Sequence, residues 1–162
     1  MDTYLAIASK RDERRYGDAP IPEEIVTRIL DAGRVAGSSA NKQARRLVVV
    51  ESEEALRALA AAVYVPANVE GARLVVAVVG KSGFDLGRAA QNMMLAAWND
   101  GVVSCPNGLR DPDAAAAVLG DTAAYVLSFA YPARPRDPES RSAEEWSARA
   151  NRLPLEEVVS RI

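Results

Sequence analysis

The segment Leu74-Val-Val-Ala-Val-Val79 constrains the fold more than any other part of the chain. Six aliphatic residues follow one another with no polar residue between them. A strand with one wet face alternates apolar and polar residues, so an unbroken run predicts a central strand covered on both faces. The run is far shorter than the ~20 apolar residues that a membrane-spanning helix needs. Met1-Asp-Thr-Tyr-Leu-Ala6 lacks the basic-then-apolar order of a secretory leader, so no membrane or export is expected.

The remaining segments supply the layers such a strand requires. Pro22 suits a first helical position, Glu23 and Glu24 load the first turn with negative charge, and Ile25, Ile29, Gly33 and Ala36 keep one face. Gly37 to Asn41 has loop chemistry. Strands are predicted at 46–50, 102–104 and 123–130, and helices at 2–9 and 53–63, with an irregular piece at 64–71. Asp85 is the expected N-cap of a helix ending near Gly101. Its Leu86, Ala89, Ala90, Met93, Met94, Ala96 and Ala97 are apolar nearly all round, which assigns it to the interior or to a subunit interface. Asp111-Pro112-Asp113 starts a small helix that Gly120 stops, 131–142 reads as connection, and Pro154 opens a terminal helix. No linker or repeat interrupts this order. The expectation is one domain over 1–162, of α+β class, with helices sandwiching a central mixed sheet in three α/β/α layers.

Composition narrows the chemistry. The chain has no histidine, which removes Ser-His and Cys-His nucleophile pairs and most catalytic zinc sites, so no metal and no catalytic side chain are expected. A bound cofactor would then carry the difficult step. The single cysteine, Cys105, excludes an internal disulfide and fits a reducing compartment, the cytoplasm by default. Twenty basic residues against 22 acidic ones, with no dominant Lys/Arg run, leave a nucleic-acid partner out.

Four polar segments lie between the elements, and each is suited to holding an anionic, planar ligand, with a plainer structural reading beside it. Lys10 to Arg15 clusters guanidinium groups suited to phosphate, or forms a solvated turn. Gly37 to Gln43 offers hydroxyls and amides that can bond a polyol or a heterocycle edge, or is a plain loop. Ser104-Cys-Pro-Asn-Gly108 leaves a strand, and Arg149 to Leu155 enters a helix. Met93, Met94 and Cys105 read as packing residues, Trp98 and Trp146 as core or interface aromatics, and Arg134, Arg136 and Arg141 as solvent-exposed.

In this order the segments resemble the FMN-dependent nitroreductase family, in a small, short-loop form. Lys10 to Tyr16 resembles the family's Arg-Arg-Ser-x-Arg-x-Phe/Tyr opening. Ile21 to Gln43 with Leu47 to Val50 resembles its helix, Pro-Ser-x-Asn-x-Gln turn and strand. Gly87 to Ala97 resembles its central helix, Tyr125 to Pro132 its late strand, and Arg152 to Val159 its C-terminal signature. The resemblance implies a homodimer with flavin at the subunit interface. Lys10, Arg11, Arg14 and Arg152 would hold the FMN phosphate and ribityl chain, while Ser39, Asn41 and Gln43 would meet the ribityl and ring. Pro106, Asn107 and Gly108 would pass beside the isoalloxazine. NADH or NADPH would reduce the flavin, and a nitroaromatic, quinone or similar flat acceptor would be reduced in a ping-pong cycle. Asp12 stands where the family has Ser, Gly37 where it has Pro, and Ala44-Arg45 where it has Pro-Trp. These departures keep a second class open, a non-catalytic flavin-binding or cofactor-free dimer.

Overall fold

The computed structural model describes residues 1–162, leaving aside the side chains at 123 and 124. In chain order the elements are α1 (Thr3–Ser9), α2 (Glu23–Arg34), β1 (Arg45–Val49), α3 (Glu53–Ala62), α4 (Pro66–Glu70), β2 (Leu74–Gly80), α5 (Gly83–Asn99), β3 (Val103–Asn107), α6 (Pro112–Leu119), β4 (Ala123–Ala130), α7 (Ala143–Ala148) and α8 (Leu155–Val158). They form two compact units, one of Met1–Lys10 with Asp137–Ile162 and one of Arg11–Arg136.

The larger unit holds a four-stranded sheet in the order β1-β2-β4-β3, antiparallel throughout. The one parallel pairing among the described residues is an isolated bridge between Asp12 and Ser104, on the outer side of β3, and the mixed character expected of the sheet is confined to it. The aliphatic run is β2, which pairs with β1 on one side and β4 on the other. Its alternate side chains enter two cores. Leu74, Val76 and Val78 join Ile29, Leu86, Met93, Leu127 and Phe129 under α2 and α5. Val75, Ala77 and Val79 join Leu59, Val63, Val69, Ala115 and Val126 under α3, α4 and α6. Each fully buried valine contributes about 1.5–3 kcal/mol of apolar burial, which is why neither face of the run carries a polar residue.

Helix α5 begins earlier than expected, because the Ser82 hydroxyl caps it by accepting from the Asp85 N–H at 3.3 Å. Asp85 instead lies in the first turn, where its charge favours the helix dipole. Leu86, Ala89, Ala90, Met93, Met94, Ala97 and Trp98 are all buried within the chain, so its own core absorbs most of the apolar helix, with Ala96 half-buried and Phe84 exposed. The close crossing of α2 makes this possible. A Cβ at Gly33 would lie 2.7 Å from Met93 Sδ and 3.0 Å from Leu47 Cδ1.

Two further elements differ from expectation. Strand β3 runs on to Asn107, paired with Val126, because an edge strand tolerates Pro106. The piece at 64–71 contains α4, started by Pro66 at its first turn. In the smaller unit α1 packs on α7, which a Ser142–Glu145 capping box starts at the end of the segment read as connection, over residues for which no element was expected. There Trp146 Nε1 donates to the Pro138 carbonyl at 2.7 Å, and Arg141, expected in solvent, stacks 4.9 Å from the Trp146 ring centre. No helix among the described residues is long and apolar enough to cross a membrane.

The Gly33 crossing sets a test. Gly33→Val should destabilise the protein by about 1–3 kcal/mol through overpacking. In a Met93→Ala background the same change should cost measurably less, a coupling that urea unfolding of the four proteins would read.

Candidate functional site

Strand β3 ends in a buried polar cluster. Asn107 is buried, and its Nδ2 donates to the Cys105 carbonyl at 3.1 Å, the Val126 carbonyl at 3.2 Å and the Ser128 hydroxyl at 2.9 Å. Its Oδ1 accepts from Asn68 Nδ2 at 3.1 Å. Ser128 Oγ in turn lies 3.0 Å from the Tyr16 hydroxyl. The chain of contacts ties α4, β3, β4 and the segment after Arg11 together on one face of the sheet. It exists because the β3–β4 register sets Asn107 opposite Val126 and Cys105 opposite Ser128. Burial pushes the Tyr16 phenol up to about 12 from its usual 10, against the opposing effect of the Ser128 hydrogen bond.

Asn107 therefore turns its amide inward and holds the backbone of 105–108. Gly108 follows, its carbonyl accepting the Tyr64 N–H at 3.1 Å, and a Cβ there would meet the Tyr64 ring at 3.2 Å. Tyr64 is itself exposed, so an aromatic face lies beside Gly108. Asn68, Ser128, Tyr16 and Tyr64 were not legible as site residues. Tyr64 and Asn68 lie in the piece read as irregular, Ser128 in a predicted strand and Tyr16 at the end of the Lys10–Tyr16 segment, and only tertiary pairing brings them to β3.

Arg11 and Arg14 lie on the outer side of the same strand, placed there by the Asp12–Ser104 bridge and by the Glu13 N–H donating to the Ser104 carbonyl at 3.2 Å. Ser39, Asn41 and Gln43 lie elsewhere, in the loop before β1. That loop is held by the Gln43 N–H donating to Ser38 Oγ at 2.9 Å, and its three side chains are exposed. β1 and β3 are opposite edges of the sheet, about 14 Å apart at three strand spacings, so the two groups stand at opposite edges. Lys10 and Arg152 belong to the smaller unit, Lys10 as the C-cap of α1 and Arg152 just after Asn151, whose φ is 50°.

Two departures from the family pattern have local causes. Arg45 donates to the carbonyls of Gly33 at 3.3 Å, Arg34 at 2.7 Å and Ala36, so it caps the C-terminal end of α2, which a tryptophan there would leave open. At Gly37 a Cβ would lie 2.6 Å from Arg88 Nη2, so a proline ring would displace that guanidinium.

Asn107→Leu should cost about 2–4 kcal/mol in chemical unfolding, since it strips partners from Asn68, Ser128 and two buried carbonyls. The Tyr16 phenol gives a pH signature. Its folded value lies above the unfolded one, so its contribution is fully present below pH ~10 and lost as pH rises towards ~12. Tyr16→Phe should flatten that part of the stability profile, measured as denaturation midpoints of both proteins across the window.

The nitroreductase family model matches residues 7–83. A curated relative from Methanothermobacter thermautotrophicus, "Putative NADH dehydrogenase/NAD(P)H nitroreductase", is 32% identical over 111 residues, which is 63% of this chain and 58% of that protein. The match thus spans just over half of that relative's length. A "putative nitroreductase in complex with FMN" from Desulfovibrio desulfuricans is 25% identical, with a TM-score of 0.81 over 100% of this chain and 98% of that one. A nitroreductase family protein from Clostridium difficile 630 shares the fold at a TM-score of 0.83 and 23% identity, over 99% and 98% of the two chains. The family model thus matches just under half of the chain, and the chain shares its fold end to end with solved nitroreductases.

Proposed function

We propose that the protein is an FMN-dependent NAD(P)H oxidoreductase that works as a homodimer, with flavin bound where two copies meet. The observation that carries this reading is the sheet order. Arg11, Arg14 and Pro106–Gly108 share the β3 edge, while Ser39, Asn41 and Gln43 stand at the β1 edge. One flavin takes ligands from both edges most simply when the β1-edge loop comes from a second copy. The apolar tail supports association, since Leu153, Leu155, Val158 and Val159 are all exposed.

The residues fit the group. Arg11 and Arg14 provide guanidinium forks for a phosphate, and the exposed Ser39, Asn41 and Gln43 provide hydroxyl and amide ends for the ribityl and ring. The Asn68–Asn107–Ser128 cluster fixes the 105–108 backbone, so that a peptide N–H near Asn107 is presented without reorganisation. Bound FMN would supply the two-electron transfer from a nicotinamide donor to a flat acceptor such as a nitroaromatic or quinone. The Desulfovibrio structure holds FMN, and the Methanothermobacter relative carries NAD(P)H nitroreductase in its name. A cytoplasmic setting, with its supply of NAD(P)H, suits this chemistry.

Titration with FMN, read by flavin fluorescence, tests the cofactor. The protein should bind it, and Arg14→Ala should weaken binding roughly ten- to a hundred-fold with the fold intact. Sedimentation tests the assembly. A dimer is expected at micromolar concentration, and removal of residues 153–162 should shift it towards monomer. A full-length protein that is monomeric and binds no FMN would overturn the reading.

A further inference from the structure

A second basic site lies beside the segment that carries Arg11 and Arg14, formed by residues that none of the flavin assignments uses. Residues 15–17 and 131–133 run antiparallel. The Gly17 N–H donates to the Tyr131 carbonyl at 2.8 Å, the Ala133 N–H donates to the Arg15 carbonyl at 3.0 Å, and Tyr16 bridges Pro132. This pairing sets Arg15 beside Ala133, Arg134 and Arg136, and with Glu13 they line a cavity of about 200 Å³.

Glu13 anchors the site. Its side chain is only 14% exposed, and its carboxylate accepts the Arg14 N–H at 3.1 Å, the Arg15 N–H at 3.2 Å and the Arg136 guanidinium. Burial raises its carboxyl, but the hydrogen bonds from Arg136 and the two backbone N–H groups outweigh this and hold it below the usual carboxylate range. The Glu13 charge is thus matched by Arg136. Arg15 lies at the rim, its Nε 3.9 Å from Glu13, with 79% of its side chain exposed. The Arg134 side chain makes no hydrogen bond or ion pair among the described residues. Three guanidiniums against one carboxylate leave two positive charges at the mouth of the cavity.

We propose that the cavity lined by Glu13, Arg15, Ala133, Arg134 and Arg136 binds a phosphate dianion, free or as a monoester, independently of the flavin site. A monoester carries about −1.5 to −2 charge at neutral pH, which matches the excess. Guanidinium forks bond its oxygens bidentately, and Arg134 and Arg15 are the two with donors to spare. The volume is below the roughly 300–1,000 Å³ of pockets that enclose a whole drug-sized ligand, so the cavity takes the phosphate group and leaves the rest of its carrier outside. The group could arrive as inorganic phosphate or as the 2′-phosphate of a nicotinamide dinucleotide.

Calorimetric titration of the full chain at low salt, with inorganic phosphate, 2′-AMP and 5′-AMP as probes, tests this. Inorganic phosphate should bind, and Arg134→Gln and Arg15→Gln should each weaken it roughly tenfold or more. FMN affinity, titrated in parallel, should stay as in the parent, so that failure of this site and failure of the flavin reading are told apart. Preference for 2′-AMP over 5′-AMP would support the site and assign it to a 2′-phosphorylated donor. Phosphate binding that neither nucleotide improves would support a site for the free anion. No phosphate binding at millimolar concentration, or binding that both substitutions leave unchanged, would overturn the proposal.

Discussion

Everything in the larger unit hangs on β2 being covered on both faces. A strand of six consecutive aliphatic residues cannot lie at an edge or under a single layer without exposing about half of them. Placing it between β1 and β4 forces α2 and α5 onto one face and α3, α4 and α6 onto the other. That arrangement also fixes where chemistry can occur. The two faces are filled, so ligand-binding groups are left to the sheet edges and the loops beside them.

The core under α3, α4 and α6 pays for one exception. Asn68, Asn107 and Ser128 are polar and buried there, yet each has at least one partner within the cluster. Unpartnered, each would carry a penalty of about 1–3 kcal/mol. Partnered, they fix orientation more sharply than apolar contacts do, because hydrogen bonds are directional. The cluster sits one residue before Gly108, where the chain leaves the sheet beside an exposed tyrosine. Rigidity is therefore concentrated where the strand meets the surface.

Much of this was legible in the residues themselves, for physical reasons that differ by element. Unbroken hydrophobicity identified β2, and helical spacing identified α2 and α5, because those signals are properties of a single segment. The end of β3 was not legible, since it is defined by its register with β4 and a proline obscures it. For α5 the apolar circumference left the interior and a subunit interface open, and the close approach of Met93 to a glycine in α2 takes most of that circumference into the chain's own core. The candidate site was legible as segments and not as a constellation. The resemblance put Asn41 and Asn107 on one ligand, whereas only strand order reveals that they stand at opposite edges.

Backbone conformation gives independent support to the same segments. Among the described residues, the non-glycine positions with positive φ are Ala40, Asn41, Gln43 and Asn151, at 50–51°. The left-handed region costs a residue such as alanine roughly 1–2 kcal/mol, and somewhat less for asparagine. No strand and no α-helix interior contains one. Three fall in the Gly37–Gln43 loop and the fourth immediately precedes Arg152, two of the four segments whose side chains suit an anionic, planar ligand. The loop is kept in that state by specific bonds, from the Gln43 N–H to Ser38 Oγ and from the Ser39 N–H to Asp85 at 3.4 Å. A turn that only connected α2 to β1 could relax to ordinary torsion angles or use glycine. Three of the positive-φ positions thus fall in the loop that the flavin reading assigns to the cofactor, and hydrogen bonds from Gln43 and Ser39 hold that loop in place.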